Sequence, residues 1–169
     1  GNNMNKMSAR LNLDQQATEK FSFGMQMNVI RTEMERVQND NAFATPLQLV
    51  AQSPLTPVYD PETGELNTET IYYNSLISLR DETNNQTSFR SLANIYAAYT
   101  IVKDLTFKSE FGSDIYDLRE RNFWGRKTIT GGPAGEAQNR SVRVVNYNWE
   151  NYLTYIKTLG VHHLNLVGG

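Results

Sequence analysis

A chain of 169 residues with 39% hydrophobic and 11% aromatic content carries less apolar weight than the roughly 45–50% usual for a globular domain, and more rings. A net charge of −2 and an isoelectric point near 5.7 leave no long-range field to gather nucleic acid. The absence of cysteine removes disulfides, thiolate metal sites and cysteine nucleophiles together. No apolar run approaches the ~18 residues of a membrane-spanning helix. A mean hydropathy of −0.54 does not bear on β-barrels, in which only alternate residues meet lipid.

The first predicted element is a strand over 7–14, where Met7, Ala9, Leu11 and Leu13 alternate with Ser8, Arg10, Asn12 and Asp14, the period of a strand with two different faces. A polar link over 15–20 leads to a second strand over 21–30. There Phe21, Phe23, Met25, Met27 and Val29 alternate with Ser22, Gly24, Gln26 and Asn28, so an antiparallel hairpin is expected. A third strand over 88–101 sets Phe89, Ser91, Ala93, Ile95, Ala97 and Tyr99 against Arg90, Leu92, Asn94, Tyr96 and Ala98. After a tight turn at Lys103-Asp104, a fourth over 105–116 sets Leu105, Phe107, Phe111 and Ile115 against Thr106, Lys108, Glu110, Gly112 and Asp114. A fifth over 142–156 sets Val145, Tyr147, Trp149, Leu153 and Tyr155 against Asn146, Asn148, Glu150, Tyr152 and Thr154. A link over 156–162 leads to a partial sixth strand over 163–168.

The connections between hairpins are long, over 31–87 and 117–141, and those within hairpins are short. This is the rhythm of an outer-membrane barrel, with tight turns at one rim and extended loops at the other. Within the first long connection, a helical turn is expected over 45–52, and Pro54, Pro57 and the segment 59–64 read as successive turns. Phe89 and Tyr99 would place rings at both water interfaces of a strand whose length suits a bilayer, with Ala93, Ile95 and Ala97 between them. A half-buried sheet in a soluble sandwich gives the same alternation and stays open at this point. The chain opens at Gly1-Asn2-Asn3-Met4 with no signal-peptide pattern and ends within a strand-like segment, so it is expected to be a piece of a longer protein.

Residue types that carry chemistry are present without the spacing that chemistry needs. His162 and His163 are neighbours and on a strand would point to opposite faces, so they are expected as turn residues and not as metal ligands. Asp60, Glu62, Gly64 and Glu65 lack the ligand order of a calcium loop and read as a Pro-initiated turn. The segment from Gly131 to Gly135 lacks the Lys and Ser/Thr of a phosphate loop and reads as a loop tip. No Ser, His and carboxylate set forms a triad pattern, so no enzyme, metal or cofactor is expected. Aromatic platforms beside donors suit sugars and peptides. The candidate cargo contacts are therefore Tyr72, Tyr73, Arg119, Arg121, Phe123, Trp124 and Arg126, with loop-on-loop packing as the alternative for each.

Several stretches also have a recognisable wording. Ser8-Ala9-Arg10-Leu11-Asn12-Leu13-Asp14 followed by Thr18-Glu19-Lys20-Phe21, then Leu55-Thr56-Pro57-Val58-Tyr59-Asp60-Pro61, form the first two. Ala93-Asn94-Ile95-Tyr96-Ala97-Ala98-Tyr99 with Leu105-Thr106-Phe107-Lys108-Ser109-Glu110-Phe111-Gly112, and Asn148-Trp149-Glu150-Asn151-Tyr152-Leu153-Thr154-Tyr155, form the others. Together they resemble the barrel region of SusC/RagA-family TonB-linked outer-membrane transporters; the last stretch has one residue fewer between Trp149 and Asn151 than the family pattern. The resemblance implies an all-β fold, an antiparallel section of about six strands from a barrel that closes with roughly 22, without its plug domain. It further implies import of oligosaccharides or peptides at the bacterial outer membrane. The implied partners are a SusD-like surface lipoprotein, TonB acting through an N-terminal region absent from this chain, and outer-membrane lipid. A passive porin-like or structural barrel, and a soluble β-sandwich binding module, are the alternatives.

Overall fold

The computed structural model describes residues 2–36, 50–72 and 74–169. Six strands form one sheet in chain order: β1 (Asn3–Gln16), β2 (Phe21–Glu35), β3 (Glu82–Val102), β4 (Leu105–Trp124), β5 (Glu136–Leu159) and β6 (His162–Gly168). Neighbours in the sequence are neighbours in the sheet, which for strands joined by turns of a few residues means antiparallel pairing. In β5 and β6 the register runs from Leu159 opposite His162 to Leu153 opposite Gly168.

Each short connection closes by local chemistry. Between β1 and β2, the Thr18 hydroxyl accepts from the Lys20 and Phe21 amides at 3.3 and 3.0 Å, a side-chain imitation of a backbone turn. Between β3 and β4, Asp104 adopts φ 71°, a conformation that a short polar side chain tolerates. Between β5 and β6, Gly160 takes φ 62° and the turn is only Gly160-Val161. The expected link over 156–162 is therefore mostly strand, and His162 and His163 begin β6. His163 Nδ1 lies 3.0 Å from the Thr158 hydroxyl.

The chain divides into two compact units. One comprises Lys6–Arg31, Phe89–Asp117 and Arg143–Gly169 and contains sheet and short turns. Its apolar positions are uncovered: Leu11 is 47% exposed, Ile95 50%, Phe111 45% and Trp149 70%. No second layer of described residues lies on them, so among these residues the face is not satisfied by a sandwich core.

The other unit comprises Gly1–Asn5, Thr32–Ser88 and Leu118–Val142. It holds the buried hydrophobic residues found among those described, Ile77 and Trp124. A short helix, α1 (Ser75–Asp81), buries Ser75 and Ile77. It starts where the Asn74 carboxamide oxygen accepts from the Leu76 amide at 3.2 Å, and it ends as Glu82 turns extended. The helical turn expected over 45–52 falls largely outside the described residues; Val50 and Ala51 are helical.

The strands run further than the hydropathy pattern indicates. β4 continues to Trp124 and β5 begins at Glu136, which shortens the second long connection to 125–135. In these added segments charged and polar residues fall on both strand faces, so hydropathy loses its period while the backbone ladder goes on.

Candidate functional site

The even-numbered side chains of β1 to β5 in the sheet unit form one hydrophilic face, tied together across strands. Arg90 on β3 and Asp114 on β4 make a two-pronged ion pair, Nε to Oδ1 at 3.0 Å and Nη2 to Oδ2 at 2.8 Å. Asn94 donates to Glu110 Oε1 at 2.7 Å, and Lys108 meets Glu110 Oε2 at 2.7 Å. The Lys108 ammonium also lies 4.6 Å from the Tyr96 ring centre and 5.7 Å from that of Tyr152, within cation–π range.

Tyr96 reaches furthest. From β3 it crosses β2 and donates its phenolic hydroxyl to Asp14 Oδ1 on β1 at 2.7 Å. The crossing is possible because β2 offers Gly24 at that point. A Cβ on Gly24 would run into the Tyr96 ring and would lie 2.6 Å from Asp14 Oδ1 and 2.8 Å from the Leu13 carbonyl. On β4, Gly112 plays the same part beneath the Asn148 carboxamide.

A groove of about 630 Å³ runs over this face, lined by carboxamides of Asn12, Gln26, Asn28, Asn94, Asn146 and Asn148 together with Arg10 and Asp114. Carboxamides present donor and acceptor side by side without charge. Such a wall suits water, sugar hydroxyls and peptide groups. On the opposite face Trp149 Nε1 donates to Ser109 Oγ at 3.0 Å.

In the loop unit, Asp60 organises the segment 58–66. Its Oδ1 accepts from the Glu62 and Thr63 amides at 2.8 and 2.9 Å, Gly64 turns at φ 70°, and Tyr59 bridges Leu66. These amide bonds hold the Asp60 carboxyl below the ordinary carboxylate range. The segment is a turn built on one carboxylate, as its sequence indicates. Asn74 draws the same region together, donating to the Val58 and Asn67 carbonyls at 2.9 and 3.1 Å. Lys127 pairs with Glu65.

The residues singled out as cargo contacts are dispersed. Arg119, Arg121, Phe123 and Trp124, expected on a loop, are strand residues of β4. Arg119, Arg121 and Phe123 share its exposed face, whereas Trp124 points the other way and is 8% exposed. Arg126 is exposed on the connection that follows. Tyr72 is half-buried, its carbonyl accepting from Gln52 and Thr70, and Tyr73 lies outside the described residues. Sequence reasoning did not find the Asp14–Tyr96 tie or the Asn74 hub. The glycine at 24 within a strand pattern was the available signal for the first.

No family model matches the chain. Over 78 residues, 46% of its length, it is 40% identical to TonB-dependent receptor P3 of Formosa agariphila, of which this stretch is 8%. The solved structures of the RagAB peptide transporter and of the RagAB peptide importer in the "closed-closed" state each share the fold with a TM-score of 0.73 at 20% identity, over 98% of this chain and 20% of theirs. The chain thus spans a fifth or less of the proteins it matches. With one face bare and apolar and the other cross-linked and hydrophilic, the chain is similar over part of its length to a TonB-dependent receptor, and its six-stranded antiparallel sheet shares the fold of part of the RagAB structures.

Proposed function

We propose that the intact protein imports an oligosaccharide or a peptide across the outer membrane. It takes the cargo from a SusD-like surface lipoprotein and admits it when TonB, driven by the inner-membrane proton gradient, moves the plug. In this reading the chain supplies part of the barrel wall. Its even-numbered face lines the lumen, its odd-numbered apolar face meets lipid, and the connections over 50–81 and 125–135 lie at the outer rim.

The observation that carries the reading is the division of one sheet into an apolar face with nothing over it and a carboxamide-rich face, on a fold shared with the RagAB peptide transporter. A lipid-facing surface needs no protein layer, and a wet lumen accepts neutral hydrogen-bonding side chains. The energy-coupled part of the reading draws support from the identity with TonB-dependent receptor P3. Arg126 and Tyr72, on the connections, are the proposed cargo contacts.

Uptake of labelled oligosaccharides and peptides by cells carrying or lacking the intact protein tests this. Uptake is expected to require the protein and to stop when the proton gradient is collapsed or TonB is removed. Uptake that continues under both treatments would instead make it a passive pore.

A further inference from the structure

The hydrophilic face of the sheet unit turns most of its polar groups on one another. Arg90 is taken by Asp114, Glu110 by Asn94 and Lys108, and Asp14 by Tyr96. Around the groove the pattern changes. Arg10, Asn12, Gln26, Asn28 and Asn146 line it, and among the described residues their side chains have no hydrogen-bond or ion-pair partner.

The contacts fix where these groups stand. Asp14, Gly24 and Tyr96 meet in one row across β1, β2 and β3. Four residues back along β1 and β3, and four on along β2, antiparallel pairing sets Arg10, Asn28 and Leu92 in another. The pairs Arg90 with Asp114 and Asn94 with Glu110 place Leu92 opposite Gly112 on β4, and the Asn148 carboxamide of β5 lies over Gly112. Leu92 and Gly112 are thus the floor. Arg10 and Asn28 stand on one side of it and Asn148 on the other.

Arg10 sets the charge of the groove. Asp114, the carboxylate of its lining, is already held by two hydrogen bonds from Arg90. Glu150, two residues beyond Asn148 on the same face, accepts from the Asn148 carboxamide at 3.1 Å. A guanidinium keeps its charge and fits a carboxylate by two parallel hydrogen bonds. One positive charge matches the single negative charge of a carboxylate, whereas a phosphate monoester, near −2, would be left half-neutralised.

We infer that the groove is a subsite for a carboxylate-bearing stretch of the cargo, with Arg10 forked onto the carboxylate and Asn12, Asn28 and Asn146 bonded to neutral groups beside it. The inference rests on the import reading and narrows its cargo. A uronate of an oligosaccharide and an acidic residue of a peptide share this chemistry.

The test is equilibrium binding to the intact receptor in detergent, by calorimetry, with two matched pairs of probes. One pair is a blocked hexapeptide with a central glutamate against the same peptide with glutamine; the other is a galacturonate trimer against a galactose trimer. The acidic member of one pair is expected to bind about tenfold tighter than its neutral counterpart, the low end for a hydrogen bond to a charged group, and the pair that shows it names the source. Arg10→Gln should abolish the preference and leave the neutral probe unaffected, and Arg10→Lys should restore part of it. Asn28→Asp, which sets a carboxylate beside Arg10, should also abolish it. Arg143→Gln, on the opposite face, should leave it unchanged. No acid preference in either pair would overturn the inference. So would a preference that survives Arg10→Gln, including one that survives while the unfolding temperature drops, which would make Arg10 a strut of the barrel. Binding at equilibrium needs no energy, so loss of TonB dependence in the uptake experiment would overturn the import reading and leave this result standing.

Discussion

At the scale of single residues, the hydrophilic wall is organised around an absence. Tyr96 reaches Asp14 only because Gly24 leaves the intervening strand bare. Gly24→Ala is expected to destabilise the intact barrel by about 1–3 kcal/mol, since the added methyl meets a backbone carbonyl as well as a movable ring. Tyr96→Phe, which loses one solvent-accessible hydrogen bond, should cost at most about 1 kcal/mol. If the ring is the main obstacle, Gly24→Ala should cost less in a Tyr96→Ala background, and thermal unfolding of the four variants in detergent measures that coupling. Asp60 gives a residue-scale prediction in pH. Its carboxyl is depressed by amide bonds present only in the folded turn, so its contribution is complete above the unfolded-state value and is lost as pH falls through the lower folded value. Amide exchange at Glu62 and Thr63 should therefore accelerate on acidification through that window, with Asp60→Ala fast throughout; an exchange rate in the native protein following only the intrinsic pH dependence would remove Asp60 as the cause.

At the scale of elements, α1 shows how much a seven-residue helix depends on its cap. Too short to be stable alone, it begins at Asn74, which accepts from Leu76 and donates to Val58 and Asn67. Asn74→Ala should cost about 1–2 kcal/mol through the cap alone. Asn74→Asp keeps the cap oxygen but turns an acceptor toward two carbonyls, so it should be the more damaging change despite being a good cap residue elsewhere. Limited proteolysis within 50–81 would rank them, and an Asp variant as resistant as the parent would refute the hub. The same element explains what the sequence hides. Most of β1 and β2, the later two thirds of β3 and the first part of β4 are legible because one face is apolar and the other polar, which imposes an alternation on the letters. From Leu118 to Trp124 charged and apolar residues fall on both sides, the alternation ends, and residues of a continuing strand read as loop. α1 has two turns, too few for a helical period, and is held by carbonyls distant in sequence. The polar face was legible as a list, but not the tie from Tyr96 to Asp14, because that needs the registers of two strand pairs at once.

At the scale of the whole molecule, the distinction that matters is between two leucine-sized side chains on one strand. Ile95 and Leu92 both stand on β3 and both are accessible, at 50% and 36%. By accessibility alone, lysine would be tolerated at either. Their parity separates them: Ile95 shares a face with Phe89 and Tyr99, Leu92 with Arg90 and Asn94. If the first face meets hydrocarbon, Ile95→Lys places an ammonium near the bilayer midplane at a cost of about 2–4 kcal/mol, whereas Leu92→Lys projects into water and should cost little. Unfolding of the intact receptor reconstituted in lipid should show that gap, and the gap should narrow in bilayers thin enough for the ammonium introduced by Ile95→Lys to snorkel to the interface. Equal stability of the two variants would mean that both faces meet water, a result no transmembrane wall can give.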